Sequence, residues 1–482
     1  MMNIIGRKDE ISEIKRLYSS KMPQFLAVYG RRRVGKTFLI DEALKGKITF
    51  RHSGLSPVDE QNHKNSLKEQ LKHFYLSLQR QGMKKSKCPT SWLEAFFMLE
   101  MYLQSIDDGS RQVVFLDELP WMDTPRSGFV TALEALWNGW GCHRDNFMLV
   151  VCGSATSWIT DNLINNHGGL YGRLTGQLRL SPFTLNECEQ FFHSKGIRMS
   201  RYDIVQSYMI FGGVPYYLSY FESGRSLAQN VDNLFFKKNA VLGDEFDRLF
   251  SSVFSRPEEM KQIVKVLGNR RAGYTQEELA KATGLTGGGS FSTMLKALVA
   301  GDFIEPYIPF GKAKREKHYK LIDHFCLFYM KFVQGRKEID PEFWMHNVTS
   351  QVVSSWRGFA FEEVCFTHIQ QIKKALNILG VSSTESAWVV KGDDETEGAQ
   401  IDMLINRKDN VVNLCEMKFY NEKYTVNKAY YSKIVHRQNL LAEMIPRRAV
   451  VHNVLVTTEG LTYNEYSGIF QNVVTIDDLF VK

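Results

Sequence analysis

The chain has 482 residues, 44% of them hydrophobic and 23% charged, with a net charge of +7, which predicts two to four globular domains and permits nucleic-acid binding without requiring it. Its seven cysteines are scattered and include no C-x-x-C pair, which argues against a disulfide framework or a structural zinc site. The start MMNIIGRKDE lacks the apolar core of a signal peptide and no run reaches the ~18 apolar residues of a membrane span, so we expect a cytoplasmic protein without a membrane partner.

The first part of the chain alternates apolar strands with helical segments. Buried strands that alternate with helices are typical of an α/β fold with a mostly parallel sheet covered on both faces. The predicted strands are QFLAVYG, KITFRHSGL, QVVFLDEL, FMLVVCGSA and LRLSPFT, and the predicted helices are KTFLIDEALKG, EQNHKNSLKEQLKHFYLSLQRQG and SWLEAFFMLEMYLQSI.

The segment GRRRVGKT fits the phosphate-binding pattern G-x-x-x-x-G-K-[ST] and lies between a predicted strand and a predicted helix. In that context backbone N–H groups surround phosphate oxygens at the N-terminus of the helix. We expect Lys36 to act on the β- and γ-phosphates and Thr37 to hold Mg²⁺ through its hydroxyl. The predicted ATP-binding residues of this loop are Gly30, Arg31, Arg32, Arg33, Val34, Gly35, Lys36, Thr37 and Phe38.

The strand VVFL carries two acids directly after it, Asp117 and Glu118. In a parallel sheet its carboxyl end lies beside the phosphate-binding loop. We expect Asp117 to contribute to Mg²⁺ binding and Glu118 to orient or deprotonate the attacking water. The alternative interpretation is that Asp117 and Glu118 are simply acidic residues at a surface-exposed strand end.

A resemblance adds to these motifs. The segments IIGRKDEISEIKRLY, CGSA, LYGRLTG and FGGVPYYL resemble the archaeal-type P-loop ATPases, a family near the AAA+ and STAND ATPases. The resemblance implies that Ile5, Gly6 and Arg7 lie against the adenine and that Ser154 senses the γ-phosphate. It also implies that Arg173 acts on the γ-phosphate, although a basic residue there could instead cap a helix. An Arg173 that acts across a subunit boundary would require a homo-oligomer, which sedimentation with and without an ATP analogue would test.

Composition and periodicity divide the chain into four predicted domains. A P-loop ATPase domain is expected over 1–184, a helical lid over 185–246, a winged-helix domain with a connector over 247–335, and a last α/β domain over 336–482.

The segment TQEELAKATGLTGGGSFSTMLKALVAGDFIEPY is typical of a helix-turn-helix that continues into a β-hairpin wing. A basic cluster on this wing could contact DNA phosphates. Winged helices also serve as protein-binding modules, and a lysine-rich hairpin can simply be a solvated edge. The cluster comprises Lys312, Lys314, Arg315, Lys317 and Lys320.

The segment IDMLINRKDNVVNLCEMKFY is typical of a β-hairpin. A turn centred on Lys408 would place position 402 opposite position 414, and the even-numbered residues would then share one face. That face carries Asp402, Glu416 and Lys418, and the odd-numbered face is apolar enough to form a core.

Two carboxylates and a lysine on one face suit a Mg²⁺-dependent phosphodiesterase, because carboxylates bind the cation and lysine can stabilise developing charge. Upstream, RGFAFEEV places Glu362 and Glu363 on a helix, where adjacent side chains diverge by about 100°, so at most one faces a metal. The order of these motifs resembles the PD-(D/E)xK nuclease superfamily, and by that resemblance Glu362, Asp402 and Glu416 are metal ligands and Lys418 is catalytic. There are two alternatives: a surface hairpin with its charges outward, and a nuclease fold that only binds nucleic acid or a partner.

These observations predict an α/β protein that joins a P-loop ATPase with a helical lid to a winged-helix domain and a restriction-endonuclease-like domain. ATP and Mg²⁺ are the expected cofactors, and nucleic acid, most readily DNA, is the expected partner. We expect the nucleotide state to control nucleic-acid binding and Mg²⁺-dependent cleavage. The alternative is an ATP-driven signalling switch whose later domains bind DNA or protein without cleaving.

Overall fold

The structure is a computed structural model that describes residues 4–56, 65–335, 340–390 and 398–481. The chain forms two compact units. The first comprises Met1–Pro182, Asp247–Met260 and Thr293–Asp302, and the second comprises Phe183–Phe246, Lys261–Ser292 and Phe303–Lys482. The division into four domains stays a prediction. No helix within the described ranges is both long and apolar enough to cross a membrane.

The first unit contains a five-stranded sheet in the order β2-β3-β4-β1-β5, and every neighbouring pair is parallel. This confirms the predicted parallel α/β architecture. The strands are β1 Gln24–Tyr29, β2 Phe50–Ser53, β3 Gln112–Asp117, β4 Phe147–Gly153 and β5 Gly176–Arg179. The helices are α1 Lys8–Tyr18, α2 Lys36–Ala43, α3 Leu67–Arg80, α4 Trp92–Ser105, α5 Leu119–Met122, α6 Phe129–Gly139 and α7 Thr156–Ile159, with a 3-10 turn Gly141–His143 and a π-turn Thr160–Ile164. The predicted start of α3 at residues 60–64 lies outside the described residues.

Alternate side chains of the central strands pack into two separate hydrophobic cores, one on each face of the sheet. In β1, Phe25 and Ala27 pack with helices α3, α4 and α6, whereas Leu26 and Val28 pack with α1 and α2. The side chains of successive strand residues point to opposite faces, so a strand that is apolar throughout must be covered on both. This arrangement leaves only the strand ends open for polar side chains.

The second unit begins with helices and a small antiparallel sheet in the order β6-β8-β7. The chain passes between the two units after Pro182, within the three helices that contain residues 246–247, 260–261 and 292–293, and after Asp302. The helices of this part of the chain are α8 Leu185–Ser194, α9 Arg201–Phe211, α10 Pro215–Leu218, α11 Leu227–Phe235, α12 Glu245–Val253, α13 Pro257–Gly268, α14 Gln276–Thr283, α15 Gly289–Ala300, α16 His324–Phe332 and α17 Phe343–Asn347. Most of α12 and α15 and the start of α13 belong to the first unit. The strands are β6 Tyr274–Thr275, β7 Ile304–Tyr307 and β8 His318–Leu321.

The rest of this unit is built on a mixed sheet in the order β15-β13-β11-β10-β9. Strands β9, β10 and β11 are antiparallel neighbours, while β13 and β15 continue the sheet in parallel with β11. The strands are β9 Ser383–Val390, β10 Ala399–Arg407, β11 Val411–Lys418, β12 Tyr424–Thr425, β13 Val450–Thr457, β14 Leu461–Thr462 and β15 Asn472–Thr475. The helices are α18 Gln351–Thr367, α19 Ile369–Ala375, α20 Lys428–Met444 and α21 Ile476–Leu479.

The predicted register of the β10–β11 hairpin is wrong by two residues. Met403 pairs with Cys415, which places position 402 opposite 416 and centres the turn on Asp409. Asn410, at φ +66°, turns the chain there, and the Arg407 guanidinium donates to Asp409 (Nε–Oδ1 2.9 Å). Since side chains alternate with a period of two, a two-residue shift keeps the same residues on the same face.

The core of this hairpin is not confined to the odd-numbered face. Even-numbered Leu404 and Leu414 are fully buried and belong to the same cluster as Ile401 and Trp388. The pairing of β10 with β9 is irregular between Ile401 and Leu404, and such a bulge re-aims the side chains beyond it. The polar residues are therefore gathered at one end of the hairpin.

Candidate functional site

The phosphate-binding loop connects the end of β1 to the start of α2. Three of its residues have positive φ: Gly30 at +138°, Arg33 at +73° and Gly35 at +89°. A Cβ on Gly30 would lie 2.2 Å from the carbonyl oxygen of Leu180, so only glycine fits there. The loop thus ends at a helix N-terminus, where backbone N–H groups lack intrahelical partners and favour an anion.

We expect Gly30→Ala to lower the free energy of unfolding of the nucleotide-free protein by about 3 kcal/mol or more, because strain and a clash with backbone add. The matched control is Gly35→Ala, where φ is also positive but a Cβ meets nothing within 4 Å. Its expected cost is about 1 kcal/mol. Urea denaturation of the full chain measures both variants. Equal losses would contradict the close approach of Leu180 to the loop.

Lys36 and Thr37 open α2 and face different partners. The Lys36 ammonium is buried and donates to the carbonyl oxygens of Gly30 (3.0 Å) and Arg31 (2.9 Å). Burial lowers its pKa, which the nearby carboxylates of Asp117 and Glu118 oppose. The Thr37 hydroxyl donates to Asp117 Oδ2 (3.0 Å). A hydroxyl and a carboxylate held together are ligands that suit Mg²⁺.

Asp117, Glu118 and Ser154 meet at the carboxyl ends of β3 and β4. Glu118 adopts a left-handed conformation (φ +45°), and its backbone N–H donates to Asp117 Oδ1 (2.9 Å). The Glu118 carboxylate accepts hydrogen bonds from Ser154 Oγ (2.9 Å) and Ser154 N (3.2 Å). The structure therefore brings together the metal-binding acid, the candidate base and the candidate γ-phosphate sensor that the sequence predicts.

Cys152, to which no role was predicted from the sequence, is buried at the end of β4. Burial raises the pKa of its thiol well above the usual range, and the Asp117 carboxylate adds to the shift. The thiol therefore stays protonated beside Asp117. The signal was the CGSA motif itself, in which only the serine was assigned a role.

The other residues predicted for the loop differ in exposure. Val34 is buried in the core with α1 and α2, whereas Phe38 is 43% exposed. Arg31 is buried, and the Arg32 guanidinium lies 5.5 Å from the centre of the Trp121 ring. Arg33 has φ +73° and is half-buried. The loop itself therefore carries three consecutive arginines of different exposure.

The predicted adenine segment is tied to the chain just after β5. Gly6 and Arg7 both have positive φ, and the Arg7 guanidinium donates to the carbonyl oxygen of Ser181. Ser181 follows Leu180, whose carbonyl lies against Gly30. Half-buried Ile5 is thereby held at the same edge of the first unit as the phosphate-binding loop.

Arg173 is exposed in a turn, where its backbone N–H donates to Leu170 O (3.1 Å). The last helical turn before it ends at Ile164, so the alternative that it caps a helix is wrong. Its side chain makes no hydrogen bond or ion pair with the residues that the structure describes. The structure thus does not bring Arg173 to the other predicted nucleotide-binding residues, and its action on ATP stays a prediction.

The second unit holds the candidate carboxylate site at the end of the β10–β11 hairpin. Lys418 Nζ lies 3.5 Å from Glu416 Oε2 and 4.0 Å from Asp402 Oδ2. Asp402 Oδ2 also accepts the backbone N–H of Met417 (2.9 Å). Burial raises the pKa of Asp402, and the neighbouring Glu416 carboxylate raises it further. The three side chains that the sequence placed on one face are therefore in contact.

Two partners of Glu416 come from α20 and were missed. Tyr430 Oη donates to Glu416 Oε2 (2.6 Å), and the Arg437 guanidinium donates to Glu416 Oε1. Glu416 is fully buried, so these donors compensate its loss of hydration. The signal in the sequence is their spacing of seven, which puts both on one face of the helix that follows the E-x-K strand.

Two adjacent acids of α18, Glu362 and Glu363, pair with basic residues from earlier parts of the chain. Glu362 pairs with the Arg271 guanidinium, which lies 3.8 Å from the centre of the Phe359 ring. Burial raises the pKa of Glu362 to about 8, with the Asp402 carboxylate as the next cause. Glu363 pairs with Lys320 (3.3 Å).

Lys320 is buried, so the expectation that it belongs to the solvent-facing basic cluster is wrong. It lies on β8 and covers the Phe366 ring at 3.9 Å as well as binding Glu363. Lys312, Arg315 and Lys317 are exposed between β7 and β8.

No group of three acidic, histidine or cysteine side chains within the described ranges converges closely enough to hold a metal ion. Asp402 and Glu416 are an acidic pair around Lys418, while Glu362 is engaged by Arg271. A carboxylate oxygen that accepts one hydrogen bond keeps a further lone pair. The pair therefore fits Mg²⁺, which takes one or two carboxylates and completes its coordination with water and phosphate oxygens.

Comparisons with known proteins agree with the geometry of the first site. Residues 4–221 match the family described as an ATPase domain predominantly from Archaea. The uncharacterized protein MJECL04 of Methanocaldococcus jannaschii is 24% identical over 448 residues, which span 91% of this chain and 92% of the relative. Residues 4–221 are therefore a P-loop ATPase domain of the archaeal type, with the nucleotide binding that this implies.

Solved structures that match this chain include the Walker-type ATPase PABY2304 of Pyrococcus abyssi, with a TM-score of 0.45 and 15% identity. That similarity covers 68% of this chain and 96% of the other. The ORC2 protein of Aeropyrum pernix, solved as ADPNP and ADP complexes, has a TM-score of 0.42 and 13% identity over 68% of this chain and 93% of the other.

Proposed function

We propose that this chain, an ATPase over residues 4–221, uses ATP binding and hydrolysis to control a carboxyl-terminal domain that binds nucleic acid and cleaves it with Mg²⁺. The observation that carries the proposal of cleavage is the contact of Lys418 with both Asp402 and Glu416. A phosphodiesterase needs this combination of metal ligands and a cation at one point.

In the ATPase domain, Lys36 would bind the β- and γ-phosphates from the N-terminus of α2. Thr37 and Asp117, already hydrogen bonded to each other, would hold Mg²⁺, which neutralises charge on the phosphates. Glu118 would orient and deprotonate the attacking water, and Ser154 would hold the Glu118 carboxylate in place.

In the carboxyl-terminal domain, Asp402 and Glu416 would hold Mg²⁺, which lowers the pKa of a bound water and neutralises the scissile phosphate. Lys418 would orient that water or stabilise the developing negative charge. Tyr430 and Arg437 fix Glu416 from the side of α20. Glu362 would become a third Mg²⁺ ligand once Arg271 is displaced from its carboxylate.

The four-domain organisation belongs to the proposal, with bounds at 1–184, 185–246, 247–335 and 336–482. The order α13-β6-α14-α15-β7-β8 and the three-stranded sheet support a winged helix in the third domain. Exposed cations between β7 and β8 support contact with phosphates. The exposed Arg173 is proposed to act on the ATP of a neighbouring copy, a homo-oligomer that sedimentation with and without an ATP analogue would test.

Two ion pairs favour a second candidate function. Arg437 is held against Glu416, and Arg271 against Glu362, so cations already neutralise two of the three proposed metal ligands. Such pairs compensate buried carboxylates in the absence of a metal. The second candidate is an ATP-driven switch whose later domains bind DNA or protein without cleaving.

We expect Arg271→Ala to separate the two candidates. In EDTA the variant leaves Glu362 buried without its cation, and the expected loss is about 1 kcal/mol because Arg271 is itself partly exposed. If Glu362 serves a metal site, Mg²⁺ will raise the midpoint of thermal unfolding more in the variant than in the native protein. Arg270→Ala, which removes the adjacent pair with Glu278, is the control. Equal responses to Mg²⁺ would favour the switch.

The test of the proposed function is cleavage of labelled single- and double-stranded DNA in Mg²⁺, with and without ATP. Cleavage by the native protein that Asp402→Asn abolishes would support the nuclease. ATP hydrolysis without cleavage under any divalent metal would overturn it in favour of the switch.

A further inference from the structure

Three tyrosines form a continuous row that starts at the carboxylate site. The ring centres of Tyr430 and Tyr424 are 5.6 Å apart, and those of Tyr424 and Tyr420 are 5.4 Å apart. At the inner end, the Tyr430 hydroxyl donates to Glu416 and Lys418 Nζ lies 5.2 Å from the Tyr430 ring centre. We call Tyr420, Tyr424 and Tyr430 the tyrosine row. It leads outward from the acid–lysine cluster.

The outer end of the row is open to solvent. Tyr420 is 49% exposed, and Tyr424 is partly exposed. Tyr463 is 88% exposed and follows β14, which pairs in parallel with β12. The Asn464 amide donates to the Val426 carbonyl (2.7 Å), which holds this exposed ring beside the segment that carries the row. Exposed apolar rings that lie close together, bordered by polar residues, are typical of a ligand-binding surface.

The same segment is strongly basic. Between residues 418 and 437 the chain carries five lysines and arginines and one acid. Lys423, Lys428 and Lys433 are exposed, and the one acid is Glu422. Exposed cations interleaved with aromatic rings are the pattern of a surface that binds phosphates with its charges and bases with its rings.

We infer that the tyrosine row and Tyr463 form a platform for single-stranded nucleic acid, whose bases stack on Tyr420 and Tyr463. Bases in a duplex already stack on each other and present only their edges, so open phenol rings favour unpaired nucleotides. The row directs a bound strand toward Lys418 and Asp402. The inference names the substrate class of the proposed nuclease site, while binding to the platform does not require cleavage.

The experiment measures fluorescence anisotropy of labelled oligonucleotides of about 15 residues, near the upper site size of such platforms, with the full-length protein in EDTA. The probes are oligo-dT, oligo-U and a duplex of the same length. We expect Tyr420→Ala and Tyr463→Ala each to weaken single-strand binding by about 5- to 150-fold, the effect of losing one base–aromatic stack. Tyr420→Phe keeps the ring and retains native affinity. Phe97→Ala, which removes an exposed ring of the first unit, is the matched control.

Lys423→Gln and Lys428→Gln should instead lower the dependence of binding on salt, by a slope of about 0.7 each, because each removes one phosphate contact. Native affinity in both tyrosine-to-alanine variants, or tighter binding to the duplex than to either single strand, would overturn the platform. Equal affinity for oligo-dT and oligo-U would support the platform and would show that it does not distinguish deoxyribose from ribose. If the native protein binds single strands in EDTA but cleaves no DNA in Mg²⁺, the proposed nuclease is overturned and the platform is retained.

Discussion

Replacing Glu118 by Gln lowers the rate of ATP hydrolysis by about 10²- to 10⁴-fold and changes ATP affinity by no more than a few-fold. The Glu118 carboxylate is held by the hydroxyl and the N–H of Ser154 and stands directly after Asp117. Glutamine keeps an oxygen that can accept from Ser154, so the local structure is retained. It cannot take the proton of the attacking water, which removes an interaction that matters only in the transition state.

Steady-state hydrolysis and binding of a non-hydrolysable ATP analogue measure the two effects separately. Glu42→Gln, which removes an acid of α2 paired with Lys45, is the control and keeps native turnover. Ser154→Ala should lower turnover by about tenfold, since Glu118 then loses its two contacts with the serine hydroxyl while the contact with the serine N–H remains. Turnover at the native rate in Glu118→Gln would show that another group activates the water.

If the proposed nuclease activity exists, we expect Asp402→Asn and Lys418→Ala each to lower Mg²⁺-dependent DNA cleavage by about 10²-fold or more. Asparagine keeps the acceptor for the N–H of Met417 but loses the charge that binds the cation. Alanine at 418 removes the ammonium that contacts both carboxylates. Lys408→Ala, in the exposed turn of the same hairpin, is the matched control and cleaves at the native rate.

Thermal unfolding distinguishes a lost site from a lost fold. The raised pKa of Asp402 shows that burial and Glu416 disfavour its charge, so Asp402→Asn should not lower the unfolding midpoint in EDTA. Lys418→Ala leaves Asp402 and Glu416 less compensated and should lower it. Cleavage that persists in Asp402→Asn at native stability would place the nuclease activity elsewhere or exclude it from this chain.

Local sequence patterns were sufficient to predict the phosphate-binding loop, the parallel sheet and the shared face of the acid–lysine cluster. The spacing of Gly30, Gly35 and Lys36 between an apolar strand and a helix predicts the phosphate-binding loop, because few residue types allow the backbone to surround an anion. The apolar strands predict the parallel sheet, whose topology brings Asp117 and Ser154 to one edge. The alternation of side chains predicts that Asp402, Glu416 and Lys418 share a face, and this survives the error of two residues in the register.

The partners of those residues were decided only by the tertiary structure. Arg271 reaches Glu362 from 91 positions away, and Lys320 turns inward to Glu363, because packing of separate segments selects which charges meet. Neither contact has a period or a spacing that a local pattern could carry. The carboxyl end of the chain shows the same limit: β15 was not predicted, since a strand of four residues becomes stable only when its neighbour β13 supplies the hydrogen bonds. Sequence thus determined which chemical groups are present and that Asp402, Glu416 and Lys418 share a face, whereas long-range packing determined how each group is paired and buried.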